Sequence, residues 1–163
     1  MFEQKLIIIS GSPWVGKTTI ASNLFDAYEN SAHFDGDWAW HVNPFSLDDP
    51  RLRNGDKTMS FALSTYLNSS FSYVIFSSVV ATSKSIRESI LRDISAKDYK
   101  IIGFTLTCSE KTLTERHKSR GDGGEVSFYF LNLEPYPNDY VVNTDNKTVM
   151  EIVNEMKSII DSE

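Results

Sequence analysis

The chain has 163 residues, 40% of them hydrophobic, with a formal net charge of −6 and a single cysteine. That length suits one domain with a real core, spanning 1–163, and leaves no room for a second. The acidic balance excludes the broad basic footprint of a protein that grips a nucleic acid polymer, although a few cations and clustered backbone N–H groups can still hold a small anion.

Apolar runs alternate with longer stretches of helical period, the pattern of an α/β protein whose parallel sheet is covered on both faces. Strands are expected near 5–10, 32–36, 72–78, 100–107 and 139–143. After the first strand comes Gly11-Ser12-Pro13-Trp14-Val15-Gly16-Lys17-Thr18-Thr19, which fits the phosphate-binding pattern G-x-x-x-x-G-K-[ST] with a strand before it and a helix, about 17–29, after it. Glycines allow a tight turn that gathers N–H groups, and the helix start adds its positive dipole end. Gly11, Ser12, Val15 and Gly16 would line a polyphosphate, Lys17 would neutralise its β and γ oxygens, and Thr18 would take one place on Mg²⁺. Thr19 can reach a neighbouring phosphate.

The second strand ends in Asp35-Gly36-Asp37, followed by Trp38-Ala39-Trp40. In a doubly wound sheet ligands collect beyond the carboxyl ends of the strands, so both carboxylates would face the phosphate loop. Asp37 is a candidate to orient or deprotonate an acceptor hydroxyl, and Asp35 a candidate to act one layer out, by holding a water of Mg²⁺. The same residues could instead form a solvated Asp-Gly-Asp turn. Trp38 and Trp40 are costly to expose in a polar segment and suggest a pocket wall, with core packing of one of them as the alternative. The turn-rich stretch 37–60 is where a segment covering the acceptor would lie, before a helix resumes at Lys57.

The third strand runs into Ser77-Ser78 without the carboxylate that many phosphate-loop enzymes use to hold Mg²⁺. A helix follows from about Ser83 to Arg92, then the fourth strand, then a helix opening at Ser109. Arg116 and Arg120 stand one helical turn apart just before Gly121-Asp122-Gly123-Gly124, so both could close over phosphates from a mobile lid at about 116–127. Their alternative is a solvated basic face shared with Lys118. A short helix is expected near 126–132 and an amphipathic closing helix from Thr148 to Ile160. His33, His41 and His117 lack metal-ligand spacing. Cys108 ends an apolar run and reads as a buried thiol in a reducing compartment, the cytoplasm. The longest apolar run near the start falls far short of the roughly 18 residues a membrane span needs, so no membrane partner is expected.

Together these residues resemble the small phosphate-loop kinases, the family of gluconate kinase, chloramphenicol phosphotransferase, shikimate kinase and the nucleoside monophosphate kinases. The resemblance covers nearly the whole chain. It implies a three-layer phosphate-loop fold with strand order 2-3-1-4-5 and an ATP- and Mg²⁺-dependent transfer of phosphate to a small-molecule acceptor, such as a nucleoside or nucleotide, a sugar acid or an antibiotic. Asp35-Gly36-Asp37 is similar to the Asp-Gly-Asp of gluconate-kinase-like proteins, which implies an acceptor-site role for Asp37. Phe76-Ser77-Ser78 followed by Ser85-Ile86-Arg87 implies substrate contact for Ser77 or Arg87. Arg116 is implied at the adenine and Arg120 at the phosphates. The gluconate-kinase His after Asp-Gly-Asp is replaced by the Trp38-Ala39-Trp40-His41 stretch, which argues against gluconate itself. A nucleotide hydrolase or switch, and a nucleotide-binding module without transfer, remain as other readings.

Overall fold

The computed structural model describes residues 3–163. Five strands, β1 (Gln4–Gly11), β2 (Ser31–Asp35), β3 (Tyr73–Ser77), β4 (Tyr99–Thr107) and β5 (Tyr140–Asn143), form one parallel sheet in the order β2-β3-β1-β4-β5. The order implied by the resemblance is the one observed. The helices are α1 (Lys17–Ala27), α2 (Gly55–Asn68), α3 (Lys84–Arg92), α4 (Glu110–Arg120) and α5 (Val149–Ser162).

Period-two alternation along β1 sorts its side chains into two cores. Ile7 and Ile9 pack with Ile20 and Leu24 of α1 and with Val153 and Met156 of α5, while Leu6 and Ile8 pack with Leu63 of α2 and Ile90 of α3. Burial on both faces is why the strand reads as an unbroken apolar run rather than as alternating sequence. The two polar residues before that run obey the same alternation. Lys5 donates from Nζ to the Ile160 carbonyl in the last turn of α5 at 2.7 Å, and Gln4 donates from Nε2 to the Leu67 carbonyl in the last turn of α2 and to the Phe71 carbonyl just past it. Lys5 satisfies a carbonyl that a helix end leaves without a helical partner and adds a cation where the dipole favours one, while Gln4 ties the strand to the chain leaving α2. α5 starts with a capping box, the Thr148 and Glu151 side chains each accepting from the other's backbone N–H.

Two expectations change. No helix forms near 126–132: hydrogen-bonded turns join Phe128 to Asn132 and Phe130 to Leu133, and Val126, Phe128 and Leu131 lean on the α1/α5 core. Packing of these side chains, not helical period, shapes the segment.

The second correction is Arg87. Its guanidinium forms a two-pronged pair with Asp139, Nη1 to Oδ2 at 2.9 Å and Nη2 to Oδ1 at 2.7 Å, and both side chains are 2% exposed. Thr105 on β4 donates to the same carboxylate and the Tyr136 ring lies 3.9 Å from the guanidinium carbon. Gly103 makes room for the pair, since a Cβ there would collide with the Asp139 carboxylate and the Arg87 guanidinium. Arg87 therefore clamps α3 to β4 and to the chain entering β5, and it is not available as a substrate contact.

Asp139→Ala, which leaves the Arg87 charge buried and unpaired, is expected to cost about 3–5 kcal/mol in urea unfolding. Arg87→Met combined with Asp139→Leu should recover most of that loss. A single-substitution cost below about 1 kcal/mol would show that the pair does not clamp the sheet.

Candidate active site

The phosphate loop leaves β1 at Gly11 and enters α1 through Gly16, whose φ of +107° suits only glycine without strain. α1 has no side-chain cap and no acidic residue in its first turn, so its leading N–H groups are left to whatever anion sits before them. Lys17 lines a cleft with Trp14, Gly16, Thr18, Asp35, Asp37, Ser77, Ser78 and Arg120, and its Nζ donates to the Ser12 carbonyl at 2.7 Å. Burial pushes its ammonium down to about 8; the Asp37 and Asp35 charges pull upward and Arg120 adds to the lowering. Ser12 is buried, and its Oγ has no partner among the described residues. Val15 is buried beneath the loop, and its carbonyl accepts from Arg116. Thr19 points away from the cleft and lines a second cavity with Ile20.

Asp35 ends β2 beside Ser77 of β3 in the strand register, with its carboxylate buried. Thr18 donates from Oγ1 to Asp35 Oδ2 at 2.8 Å, and the Asp37 backbone N–H donates to Oδ1 at 2.9 Å, so one carboxylate holds the loop threonine and caps the 3-10 turn Gly36–Trp40. The carboxylate absent from the third strand thus has a counterpart on the second. Oxygen donors from a hydroxyl and a carboxylate are the set a hard divalent cation takes, so Thr18 and Asp35 fit Mg²⁺. Among the described residues no group of three or more His, Cys, Asp or Glu side chains could hold a metal ion on its own.

Asp37 stands at the junction of the cleft with an apolar pocket, and partial burial together with the Asp35 charge pushes its carboxyl up, with Lys17 opposing. Ser77 bonds His33, whose imidazole is pushed down by burial, and Ser78 caps the Val80 backbone N–H. The two tryptophans part company. Trp40 lines the apolar pocket, whereas Trp38 is 58% exposed at the sheet edge, with its ring against His33 and Phe34, and forms no part of either pocket.

The arginines also separate. Arg116 is fastened by Nη1 to the Val15 carbonyl and Thr144 Oγ1, both at 3.0 Å, and walls the second cavity with Thr144, Lys147, Val149 and Ile152. Arg120 lines both that cavity and the phosphate cleft. Trp14 was not singled out by the pattern, being a variable position within it, yet it borders both spaces. Its indole N–H donates to Asp122 at 2.7 Å and its ring meets the buried His117 edge-on at 4.6 Å, so it joins the phosphate loop to the glycine-rich segment after α4.

No protein-family model matches the sequence, and no curated protein does. Solved structures do match. A gluconokinase from Sinorhizobium meliloti is 18% identical with a TM-score of 0.64, covering 99% of each chain. A sugar kinase from Janibacter is 16% identical with a TM-score of 0.68, covering 98% of this chain and 95% of its own. The APS kinase of Mycobacterium tuberculosis, in complex with AMPPNP and APS, is 11% identical with a TM-score of 0.68, covering 98% of each. The chain has the fold of the small phosphate-loop kinases.

The lowered Lys17 has a stability consequence. Between pH about 8 and 10.5 the unfolded chain keeps the lysine proton that the folded chain has lost, so this group makes folding more favourable as pH rises through that window. The unfolding free energy of the parent, measured against Lys17→Met without nucleotide, should therefore climb from pH 8 to 10.5. A difference independent of pH would mean that the ammonium is not strained by its site.

Proposed function

We propose that the protein is an ATP-dependent phosphotransferase, active in the cytoplasm, that moves the γ-phosphoryl group to a small hydroxyl-bearing acceptor. One observation carries this: Lys17, Thr18, Asp35, Asp37 and Arg120 line a single cleft with a cavity on either side, one walled by Arg116 and Thr144 and the other by Trp40. Two ligand spaces joined at a cationic cleft are what transfer between two molecules needs. The names of the solved relatives, a sugar kinase, a gluconokinase and an APS kinase, support the same class.

The nucleoside of ATP sits in the cavity of Arg116, Thr144 and Ile152, and the phosphates run along the loop from Gly11 to Thr18. Lys17 and Arg120 bind the phosphate oxygens as charge grows on them; Gly11, Ser12, Val15 and Gly16 shape the cradle. Mg²⁺, when bound through Thr18 and Asp35, neutralises phosphate charge. Asp37 accepts the proton of the acceptor hydroxyl, and its raised pKa brings it nearer the range where a carboxylate is an effective base. A hydrolase or switch would use the same cleft with water. The apolar pocket beyond Asp37 favours an organic acceptor.

The deciding measurement is ATP consumption with and without a panel of nucleosides, nucleotides, sugars, sugar acids and antibiotics, with product identification. Turnover that no acceptor changes would leave a hydrolase, and binding without turnover a nucleotide-binding module. Asp37→Asn should bind ATP like the parent and lose acceptor phosphorylation by about a hundredfold or more. Asp35→Asn should instead raise the Mg²⁺ concentration needed for half-maximal rate; unchanged Mg²⁺ dependence would remove Asp35 from that role.

Arg120→Ala is expected to lower turnover more than ATP affinity, by about 2.7–4 kcal/mol of transition-state stabilisation. Weaker ATP binding at equal turnover would make Arg120 a ground-state anchor only.

A further inference from the structure

The pocket beyond Asp37, with a volume of about 410 Å³, lies within the usual range for small-molecule sites. Its wall is largely carbon: Trp40, Phe45, Leu47, Leu52, Met59 and Val79 contribute most of it. It opens into the phosphate cleft, with Asp37, Ser78 and Val79 shared between the two spaces. Phe45 and Leu47 are exposed at 58% and 75%, an apolar rim that an occupant of matching character would cover.

The polar groups are few, and those shared with the phosphate cleft are Asp37 and Ser78. His41 and Arg53 are the groups in the wall able to carry positive charge, and Arg53 stands 3.4 Å from Asp56 without a hydrogen bond. Asp37 faces the pocket, and Asp35 lies directly behind it. A phosphate or carboxylate placed beside the reacting hydroxyl would meet the Asp37 carboxylate, and the carbon wall beyond it offers such a group little to bond. A polyol would strand several hydroxyls against carbon, each costing free energy unless hydrogen-bonded.

We infer that the acceptor is an uncharged, hydroxyl-bearing molecule with an apolar body, a ring or branched carbon skeleton, whose hydroxyl reaches Asp37 while its body fills the Trp40–Phe45–Leu52 pocket. This rests on the phosphotransferase reading and narrows it away from sugar acids, sugars and nucleotides. In the transfer the acceptor oxygen forms a bond to the γ-phosphorus as the bond from that phosphorus to the β,γ-bridging oxygen breaks. ADP leaves with those electrons, and the hydroxyl proton passes to the Asp37 carboxylate.

The test separates binding from transfer. The protein is titrated with 3-phenylpropan-1-ol, 3-phenylpropionate, gluconate and thymidine 5′-monophosphate while backbone and indole N–H shifts are followed by NMR, and each compound is then incubated with ATP and Mg²⁺ and assayed for its phosphate ester by mass spectrometry. The alcohol should shift Trp40 and its neighbours and bind at least tenfold more tightly than the three other compounds, and it alone should yield ester. Leu52→Glu should weaken alcohol binding at least tenfold with ATP affinity within twofold of the parent, and Phe45→Ala, at an exposed site, should weaken it severalfold. Equal or tighter binding of a charged compound or gluconate overturns the inference whether or not ester forms. So does an alcohol that shifts no pocket residue. Pocket binding of the alcohol with no ester from any compound supports the pocket's chemistry and sinks the phosphotransferase reading instead.

Discussion

Burial of β1 on both faces is the constraint from which the site follows. A strand with Leu6, Ile7, Ile8 and Ile9 fully enclosed must lie mid-sheet, and the chain then places β3 and β2 on one side and β4 and β5 on the other. Connections therefore part at the carboxyl end of β1, which opens a crevice there. The phosphate loop has no other exit from β1, and the ends of β2 and β3 are carried to its flank. Gln4 and Lys5 pin the opposite end of the strand to the last turns of α2 and α5. Both helix layers are thus referred to the same strand that aims the loop.

The electrostatics of the cleft depend on that flanking. Lys17 alone would sit in an unfavourable enclosed position, and its ammonium is indeed pushed down. The carboxylates of Asp35 and Asp37 offset part of the cost, and Arg120 adds to it from the far side. An anion of several charges relieves the cationic pair, while a divalent cation relieves the carboxylates. On the proposed reading, a metal-complexed polyphosphate would answer both sets of charges at once.

Much of this was legible in the sequence because it is local. The phosphate loop is a contiguous pattern between an apolar run and a helix, and Asp35-Gly36-Asp37 follows from its place at a strand end. What was hidden depends on distant partners. Arg87 looked like a substrate contact, yet its fate is decided by Asp139, 52 positions away, which enters the sheet face at Gly103. Trp38 and Trp40 are equivalent on paper, and the 3-10 turn between them sends one to the edge and the other to a pocket. The stretch 126–132 is mostly Val, Ser, Phe, Tyr and Asn, weak helix formers, and it settles as turns with Val126, Phe128 and Leu131 against the core. Trp14 could have been noticed for its size at a position where the loop needs only backbone.

The wall of the apolar pocket is drawn almost wholly from the stretch between Gly36 and Met59, with only the Ser78–Val80 bend added from elsewhere. The phosphate cleft and the cavity of Arg116, the proposed nucleotide side, are built mainly from other segments: the loop after β1, the end of α4 and the chain after β5. If the proposed acceptor site is right, selectivity for the acceptor would be an interchangeable part, one continuous piece of chain set between the ends of β2 and α2. Redesigning that piece would alter what is recognised while the apparatus that handles phosphate keeps its geometry. In this architecture a change of substrate is a local edit, and the boundary of the edit runs through Asp37.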